Sequence, residues 1–179
     1  MWNDFNDLET AKRFILNPGY ANTGQFPAAD IPIKGKMDIL DFGAGVGRNT
    51  RHLLSFGAKV SCYDFPNMKE LAKQNLGADF YRISEWIEPP VTNLQDRKFD
   101  LVVATVVFQH IPEEALRTIF PVLNNCLSED GNLFVHSRGY LDTGGNVWRI
   151  LHDYCVACHE FNEQDSSENH QAVTFKRKA

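Results

Sequence analysis

The sequence predicts an α/β fold: a doubly wound, mostly parallel sheet with helices on both faces and an antiparallel hairpin at the C-terminus. Two observations support this fold class. From Met37 onward, short apolar runs alternate with amphipathic helical segments, which is typical of βαβ units. The pattern then ends in two strand-like runs, Cys158–Glu163 and Ala172–Lys176, separated by the polar stretch Gln164–His170. A polar stretch between two such runs predicts a hairpin.

The elements of the core follow one another along the chain. The predicted strands are Ile39–Phe42, Lys59–Tyr63, Asp79–Ile83, Phe99–Val107 and Gly131–His136. The predicted helices are Asn49–Phe56, Asn67–Asn75, Glu113–Leu127 and Val147–Cys155. The fourth strand has the strongest β-branched content, and the helix after it has the clearest apolar periodicity.

A chain of 179 residues has the length of one domain. We therefore expect a single domain over 1–179, with an N-terminal part, 1–36, ahead of the α/β core, 37–179. In the N-terminal part, apolar spacing predicts a helix over Leu8–Ile15. Glycine, proline and asparagine then predict an irregular segment, Asn17–Lys36, that covers the site.

Composition favours a globular protein with no membrane partner. Hydrophobic residues make up 43% of the chain, and the formal net charge is −5. Nucleic-acid binders usually carry a basic face, so we do not expect nucleic acid as a partner. No apolar run reaches the about 20 residues needed to cross a bilayer. The acidic N-terminus is unlike a signal peptide, so we expect a cytoplasmic protein with reduced cysteines.

The most informative segment joins the first strand to the next helix through a glycine cluster, Ile39-Leu40-Asp41-Phe42-Gly43-Ala44-Gly45-Val46-Gly47. Glycine permits a tight turn and lets a ligand approach the backbone. The dinucleotide fingerprint is Gly-x-Gly-x-x-Gly, but here the third glycine comes one residue early. Asp41 would also face a positive amino group better than a pyrophosphate. We therefore expect an amino-acid nucleoside as ligand.

The pattern Asp41-x-Gly43-x-Gly45-x-Gly47 resembles the first motif of class I S-adenosylmethionine-dependent methyltransferases. The resemblance covers about Met37–Arg138. It implies a Rossmann-like fold, with S-adenosylmethionine as methyl donor and S-adenosylhomocysteine as product. It also implies that Asp41 and the loop residues Gly43, Ala44 and Gly45 contact this cofactor.

In the same family, an acidic residue after the second strand holds the ribose hydroxyls, and Asp64 occupies that place. A carboxylate offers two acceptor oxygens to two vicinal hydroxyl donors. The resemblance also implies that Phe65 packs on the adenine face. Ser84 and Glu85 match the polar position after the third strand that reads the adenine amino group, although the family usually has Asp or Asn there.

After the fourth strand, the segment from Thr105 resembles the part of the family that lies under the methionine of the cofactor. His110 lies at the end of this segment. Histidine titrates near neutral pH, so His110 is the candidate general base, with a structural role in lining the pocket as the alternative. Further candidates for the acceptor side are His136, Arg138, Tyr140, Tyr20 and Gln25.

The run Cys155-Val156-Ala157-Cys158-His159 has the form of a haem attachment site. Haem attachment requires export, and a structural zinc site would need a second cysteine pair. We therefore expect no metal, and interpret this run as a helix end with two reduced cysteines.

The acceptor leaves no signature in the sequence. The motifs of amino-methylating and cytosine-methylating DNA enzymes are absent, so a small-molecule acceptor is the leading hypothesis. Two alternatives stay open: a non-catalytic S-adenosylmethionine-binding or regulatory subunit that needs a partner, and an NAD-type oxidoreductase. The oligomeric state is left open.

Overall fold

The computed structural model describes Ile33 and residues 36–138, 145–162 and 170–177, without the side chains of residues 138, 145, 156–162 and 170–172. The chain divides into two compact units, Met1–Pro89 and Pro90–Ala179. The predicted N-terminal helix and most of the covering segment lie outside the described residues. The expectation of one domain over 1–179 stays a prediction.

The first unit alternates strands and helices. Its elements are β1 (Asp38–Phe42), α1 (Arg48–Ser55), β2 (Lys59–Tyr63), α2 (Pro66–Leu76), a 3-10 helix (Gly77–Arg82) and β3 (Glu85–Ile87). The strand order is β3-β2-β1, and both pairs are parallel. Because every strand runs the same way, the glycine loop after β1 and Asp64 after β2 lie at the same edge of the sheet.

The core of the first unit is formed by the strands and by one face of α1. Ile39 and Val60 are register partners, and both are fully buried. On α1, the buried residues are Thr50, Leu53 and Leu54, which is the spacing of one helical face. Full burial of a leucine side chain contributes about 2 kcal/mol, so this face holds α1 against the sheet.

The predicted third strand, Asp79–Ile83, is wrong. This segment belongs to the 3-10 helix Gly77–Arg82, and β3 begins at Glu85. The Arg82 guanidinium donates to the Leu54 carbonyl and to Asp79. These bonds hold the segment as a turn at the end of α2. The alternation of aromatic and polar residues is typical of a strand. In the structure, however, these side chains make the contacts that stabilise the turn.

The second unit contains β4 (Phe99–Thr105), α3 (Glu113–Cys126), β5 (Leu127–Arg138), α4 (Gly145–Tyr154), β6 (Cys155–Asn162) and β7 (His170–Arg177), with short 3-10 helices at Val91–Leu94 and Phe108–His110. The strand order is β4-β5-β7-β6. The pair β4/β5 is parallel, whereas β7 is antiparallel to both β5 and β6. The predicted C-terminal hairpin is therefore confirmed, although β6 begins three residues earlier than expected.

The strand β4 has the near-continuous burial of a strand covered on both faces. It ends at Thr105 and not at Val107 as predicted, because Val106 has φ 59°. A β-branched residue rarely adopts this left-handed conformation. The amide of Val106 donates to the His136 carbonyl at 2.6 Å, and this bond holds the turn against β5.

The described residues include no helix that is both long enough and apolar enough to span a membrane.

A shift of register in β5 depends on Gly131. Phe99 pairs with Leu127, but Leu101 pairs with Asn132, so β5 carries extra residues between these two positions. A Cβ at Gly131 would lie 2.8 Å from the Phe99 carbonyl oxygen and 2.8 Å from the Ser128 amide nitrogen. Backbone atoms cannot rotate away, so the bulge requires glycine.

We predict that Gly131→Ala lowers the free energy of unfolding by about 1–3 kcal/mol, because the added methyl group forces the backbone of the bulge apart. Urea unfolding followed by circular dichroism measures the effect. The control is Glu129→Ala, which removes an exposed side chain in the same bulge and should change stability by less than about 0.5 kcal/mol. Equal stabilities of Gly131→Ala and wild type would contradict the role of Gly131.

Candidate functional site

The glycine loop between β1 and α1 has a backbone that side chains rarely permit. Gly43, Gly45 and Gly47 have φ values of 74°, 54° and 83°. The amides of Gly43 and Ala44 both donate to the Tyr63 carbonyl, at 2.8 and 3.3 Å. The loop is therefore fixed to the end of β2 by its own backbone.

The end of α2 supports the same loop. A Cβ at Gly47 would lie 2.6 Å from Leu76 Cδ1, so only glycine allows this contact. The Asn75 side-chain amide donates to the Val46 carbonyl at 2.9 Å. Sequence reasoning missed Asn75 and Leu76, because nothing in the helix α2 signals which loop it supports.

Asp64 is held by the backbone of two segments. Its Oδ2 accepts from the Gly45 amide at 2.7 Å, and its Oδ1 accepts from the Phe65 amide at 2.8 Å. Burial raises the pKa of Asp64 to about 6, although both hydrogen bonds act to lower it. Each oxygen retains a second lone pair. The carboxylate is therefore oriented and can still accept hydrogen bonds from a ligand.

Asp41 lies inside the first unit, with no exposed surface. The Thr50 hydroxyl donates to its Oδ2 at 2.6 Å, and its Oδ1 has no hydrogen-bond partner among the described residues. Burial, with a smaller contribution from the nearby Asp64, raises the pKa of Asp41 to about 6, although the hydrogen bond from Thr50 acts to lower it. The contact between Asp41 and the cofactor stays a prediction, and a fully buried carboxylate can act on a ligand through its charge.

Arg48, the first residue of α1, balances part of this negative charge. Burial lowers the pKa of the Arg48 guanidinium, and the charge of Asp41 raises it. Conversely, Arg48 lowers the pKa of Asp41. The sequence alone did not assign Arg48 a role.

Ser84 and Glu85 lie at the start of β3 and not after it. Phe65 lies next to Asp64 and precedes α2. Ser84 and Glu85 were expected after the third strand, but Ser84 precedes β3 and Glu85 begins it, level with Ser61. At about 3.3 Å per residue, Glu85 lies about 10 Å before the edge that carries Asp64. The residue that follows β3 is Glu88, whose carboxylate is 3.6 Å from Lys69 Nζ.

The second unit carries the predicted residues that follow β4. Thr105 ends β4, and its Oγ1 is buried without a hydrogen-bond partner among the described residues. His110 ends the short helix Phe108–His110 and is partly exposed. His136 is buried and is the register partner of Thr105.

The remaining sequence candidates lie outside the description. These are Tyr20, Gln25 and Tyr140, together with the side chains of Arg138, Cys158 and His159. Cys155 begins β6 and is buried, so the expected helix end is in fact the start of a strand. No group of three His, Cys, Asp or Glu residues suited to a metal occurs within the described ranges.

The first unit fits a cationic nucleoside better than a dinucleotide. The Gly45 amide, which would face a pyrophosphate in a dinucleotide loop, already donates to Asp64. The fully buried Asp41 carboxylate, just before the loop, would repel a pyrophosphate and attract a sulfonium or ammonium group. The charge of Asp41, whose Oδ1 has no hydrogen-bond partner within the described ranges, and the glycine backbone suit a cation that approaches closely.

The fold and this site define a Rossmann-like domain that binds a cationic nucleoside. The chain belongs to the methyltransferase domain family, whose model matches residues 40–135. The methyl donor of this family is S-adenosylmethionine.

The chain is also similar to individual proteins. It is 19% identical over 162 residues to a phosphoethanolamine N-methyltransferase from Triticum aestivum. This match covers 83% of the chain but 32% of the relative, so the chain spans about a third of that protein's length.

Two solved structures extend the comparison. A TehB-like SAM-dependent methyltransferase from Corynebacterium glutamicum has a TM-score of 0.70 at 21% identity, covering 96% of this chain and 98% of that one. The N-methyltransferase NodS from Bradyrhizobium japonicum, in complex with S-adenosylhomocysteine, has a TM-score of 0.72 at 17% identity, covering 97% and 100%. These likenesses confirm the predicted fold class, and the family excludes the NAD-type alternative.

We predict that Thr50→Val destabilises the protein at pH 7 by about 1.5–3 kcal/mol, because the buried Asp41 carboxylate loses the hydroxyl that donates to it. Urea unfolding measures the loss. Thr50→Ser is the matched control, since it keeps the hydroxyl and removes one methyl group, for a loss of about 1 kcal/mol. If Thr50→Val proved the more stable variant, the bond from Thr50 to Asp41 would have no stabilising role.

Proposed function

We propose that this domain transfers a methyl group from S-adenosylmethionine to a small-molecule acceptor. The observation that carries the proposal is the Asp64 carboxylate, fixed by the Gly45 and Phe65 amides at 2.7 and 2.8 Å. An oriented carboxylate beside a glycine loop is suited to vicinal hydroxyls. An amine is the first acceptor to test, because the wheat relative and NodS are both named as N-methyltransferases.

The residues that would hold the donor divide by chemistry. Asp64 would accept hydrogen bonds from the ribose hydroxyls, and Phe65 would pack on the adenine. Glu88, the residue after β3, takes the adenine position in place of Ser84 and Glu85. Gly43, Ala44 and Gly45 would allow close approach of the backbone, and Asp41 would supply negative potential to the amino group. Thr105 is assigned to the methionine part.

When bound, S-adenosylmethionine supplies an electrophilic methyl group on a sulfonium. The chain then has to align the acceptor and receive its proton. We assign the proton to the imidazole of His110, which is partly exposed after β4.

We predict that affinity for S-adenosylmethionine rises with pH between pH 5 and 7. The donor is cationic and favours ionised carboxylates, and Asp64 has a pKa of about 6 in the free protein. At pH 5 such a carboxyl is only about a tenth ionised, so binding should be about tenfold weaker than at pH 7. The amino group of the donor titrates near pH 8, outside this range. Calorimetric titration at several pH values measures the slope.

Stability of the free protein should respond in the opposite direction. The folded carboxyl holds its proton up to about pH 6, but an unfolded one loses it near pH 4. The contribution of Asp64 to stability therefore falls as pH rises from 4 to 6. Asp64→Asn should reduce both slopes, whereas Asp38→Asn, at the partly exposed start of β1 where Asp38 pairs with Lys59, should change neither. Identical slopes in wild type and Asp64→Asn would refute the assignment of Asp64.

We further predict that the chain methylates a small amine, and that His110→Ala lowers kcat by about 10²–10⁴-fold with little change in donor affinity. Formation of S-adenosylhomocysteine is measured with a panel of small amines that includes phosphoethanolamine, beside small phenols and carboxylates. His52→Ala, a change of an exposed histidine on α1, is the control. Full activity of His110→Ala would leave His110 with a lining role, and methylation of only a protein or RNA would contradict the acceptor class.

A further inference from the structure

The indole of Trp86 makes a polar contact with the residue assigned to the ribose. Trp86 lies in the middle of β3 as the register partner of Cys62. Its Nε1–H donates to the backbone carbonyl of Asp64 at 3.3 Å. This bond joins β3 to the residue that follows β2, at the edge of the sheet that carries the glycine loop.

Hydrogen bonds engage the amide, the carbonyl and both carboxylate oxygens of Asp64. Its amide donates to the Ile87 carbonyl at 3.2 Å, and its two carboxylate oxygens accept from Gly45 and Phe65. Its own carbonyl accepts from Trp86. Of these contacts, the one from Trp86 comes from a side chain and can therefore be removed by substitution.

The indole is itself supported from the other side. Phe80, in the 3-10 helix after α2, stacks on Trp86 with ring centroids 6.2 Å apart and planes inclined by 30°. Trp86 is only partly exposed. Phe80 therefore limits the orientations of the indole and helps to keep its N–H directed at Asp64.

We propose that Trp86 is a positioning residue for the cofactor: its indole fixes the main chain at Asp64, so that the carboxylate presents both oxygens to the ribose hydroxyls. The inference rests on the proposed function of Asp64. A binding group that is already held within about 0.5 Å of its bound position does not have to be ordered when the ligand binds. The neighbouring groups that support it determine this precision. Trp86 would also report binding, because the environment of its N–H includes the residue that receives the ligand.

The test uses Trp86→Phe, which keeps an aromatic ring on Phe80 and removes the N–H. Loss of one neutral hydrogen bond should weaken binding of S-adenosylhomocysteine by about three- to tenfold, measured by calorimetric titration. In turnover assays the KM for the donor should rise while kcat stays unchanged. Tyr81→Phe, an exposed neighbour that is 77% accessible, is the matched control and should bind as wild type does.

A double-mutant cycle separates positioning from a general effect on the fold. If Trp86 acts through Asp64, Trp86→Phe should change affinity by less than about twofold in an Asp64→Ala background. The change in tryptophan emission on adding saturating ligand should also be lost in Trp86→Phe. Should Trp86→Phe fail to fold, Phe80→Leu removes the stacking partner and should weaken binding by about twofold.

The outcomes are distinguishable. If Asp64→Ala binds as tightly as wild type, the ribose assignment fails and the inference fails with it. If Asp64→Ala weakens binding but Trp86→Phe does not, only the positioning role of Trp86 is overturned. Equal effects of Trp86→Phe in the wild-type and Asp64→Ala backgrounds would also overturn it, since Trp86 would then act independently of Asp64.

Discussion

The first unit depends on the hydrogen bond from the Gly45 amide to the Asp64 carboxylate, 2.7 Å long. It joins the loop after β1 to the residue after β2. The loop can reach Asp64 because its glycines adopt positive φ. Asp64 lies level with the start of the loop because β1 and β2 are parallel and end as register partners. Loss of either condition would leave the partly buried Asp64 carboxylate without this donor, which is costly.

Most of the fold could be predicted, because each element carries its own local signal. Apolar runs and helical periodicity located every described strand but one and every described α-helix within a few residues, but none of the short 3-10 helices. The exception is Asp79–Ile83, where a local pattern predicts a strand and the chain forms a 3-10 helix. Its alternation is that of a strand, but Arg82 and Phe80 are used in contacts with α1 and Trp86. Those contacts depend on tertiary structure, which a local pattern does not contain.

The candidate site was predictable where the residues are close in sequence or follow a motif. Asp64 and the glycine loop belong to this group. Arg48, Asn75 and Trp86 do not, because their roles follow from packing between elements that are distant in sequence. The left-handed Val106 was also unpredictable, since valine disfavours this conformation and only the bond to the His136 carbonyl explains it.

The buried Asp41 and the partly buried Asp64 favour one ligand class at this glycine loop. Burial raises the pKa of Asp41 and of Asp64 to about 6, so their ionised forms destabilise the free protein at neutral pH. A core optimised for stability alone would replace such groups with apolar residues. A cationic ligand lowers the electrostatic free energy of the ionised carboxylates, because it is attracted to their negative charge. An anionic pyrophosphate would raise that free energy through repulsion. The carboxylates that destabilise the free protein therefore also provide selectivity for a cationic ligand. Such a loss of stability is expected at a functional site, where charged groups replace the apolar residues of an ordinary core.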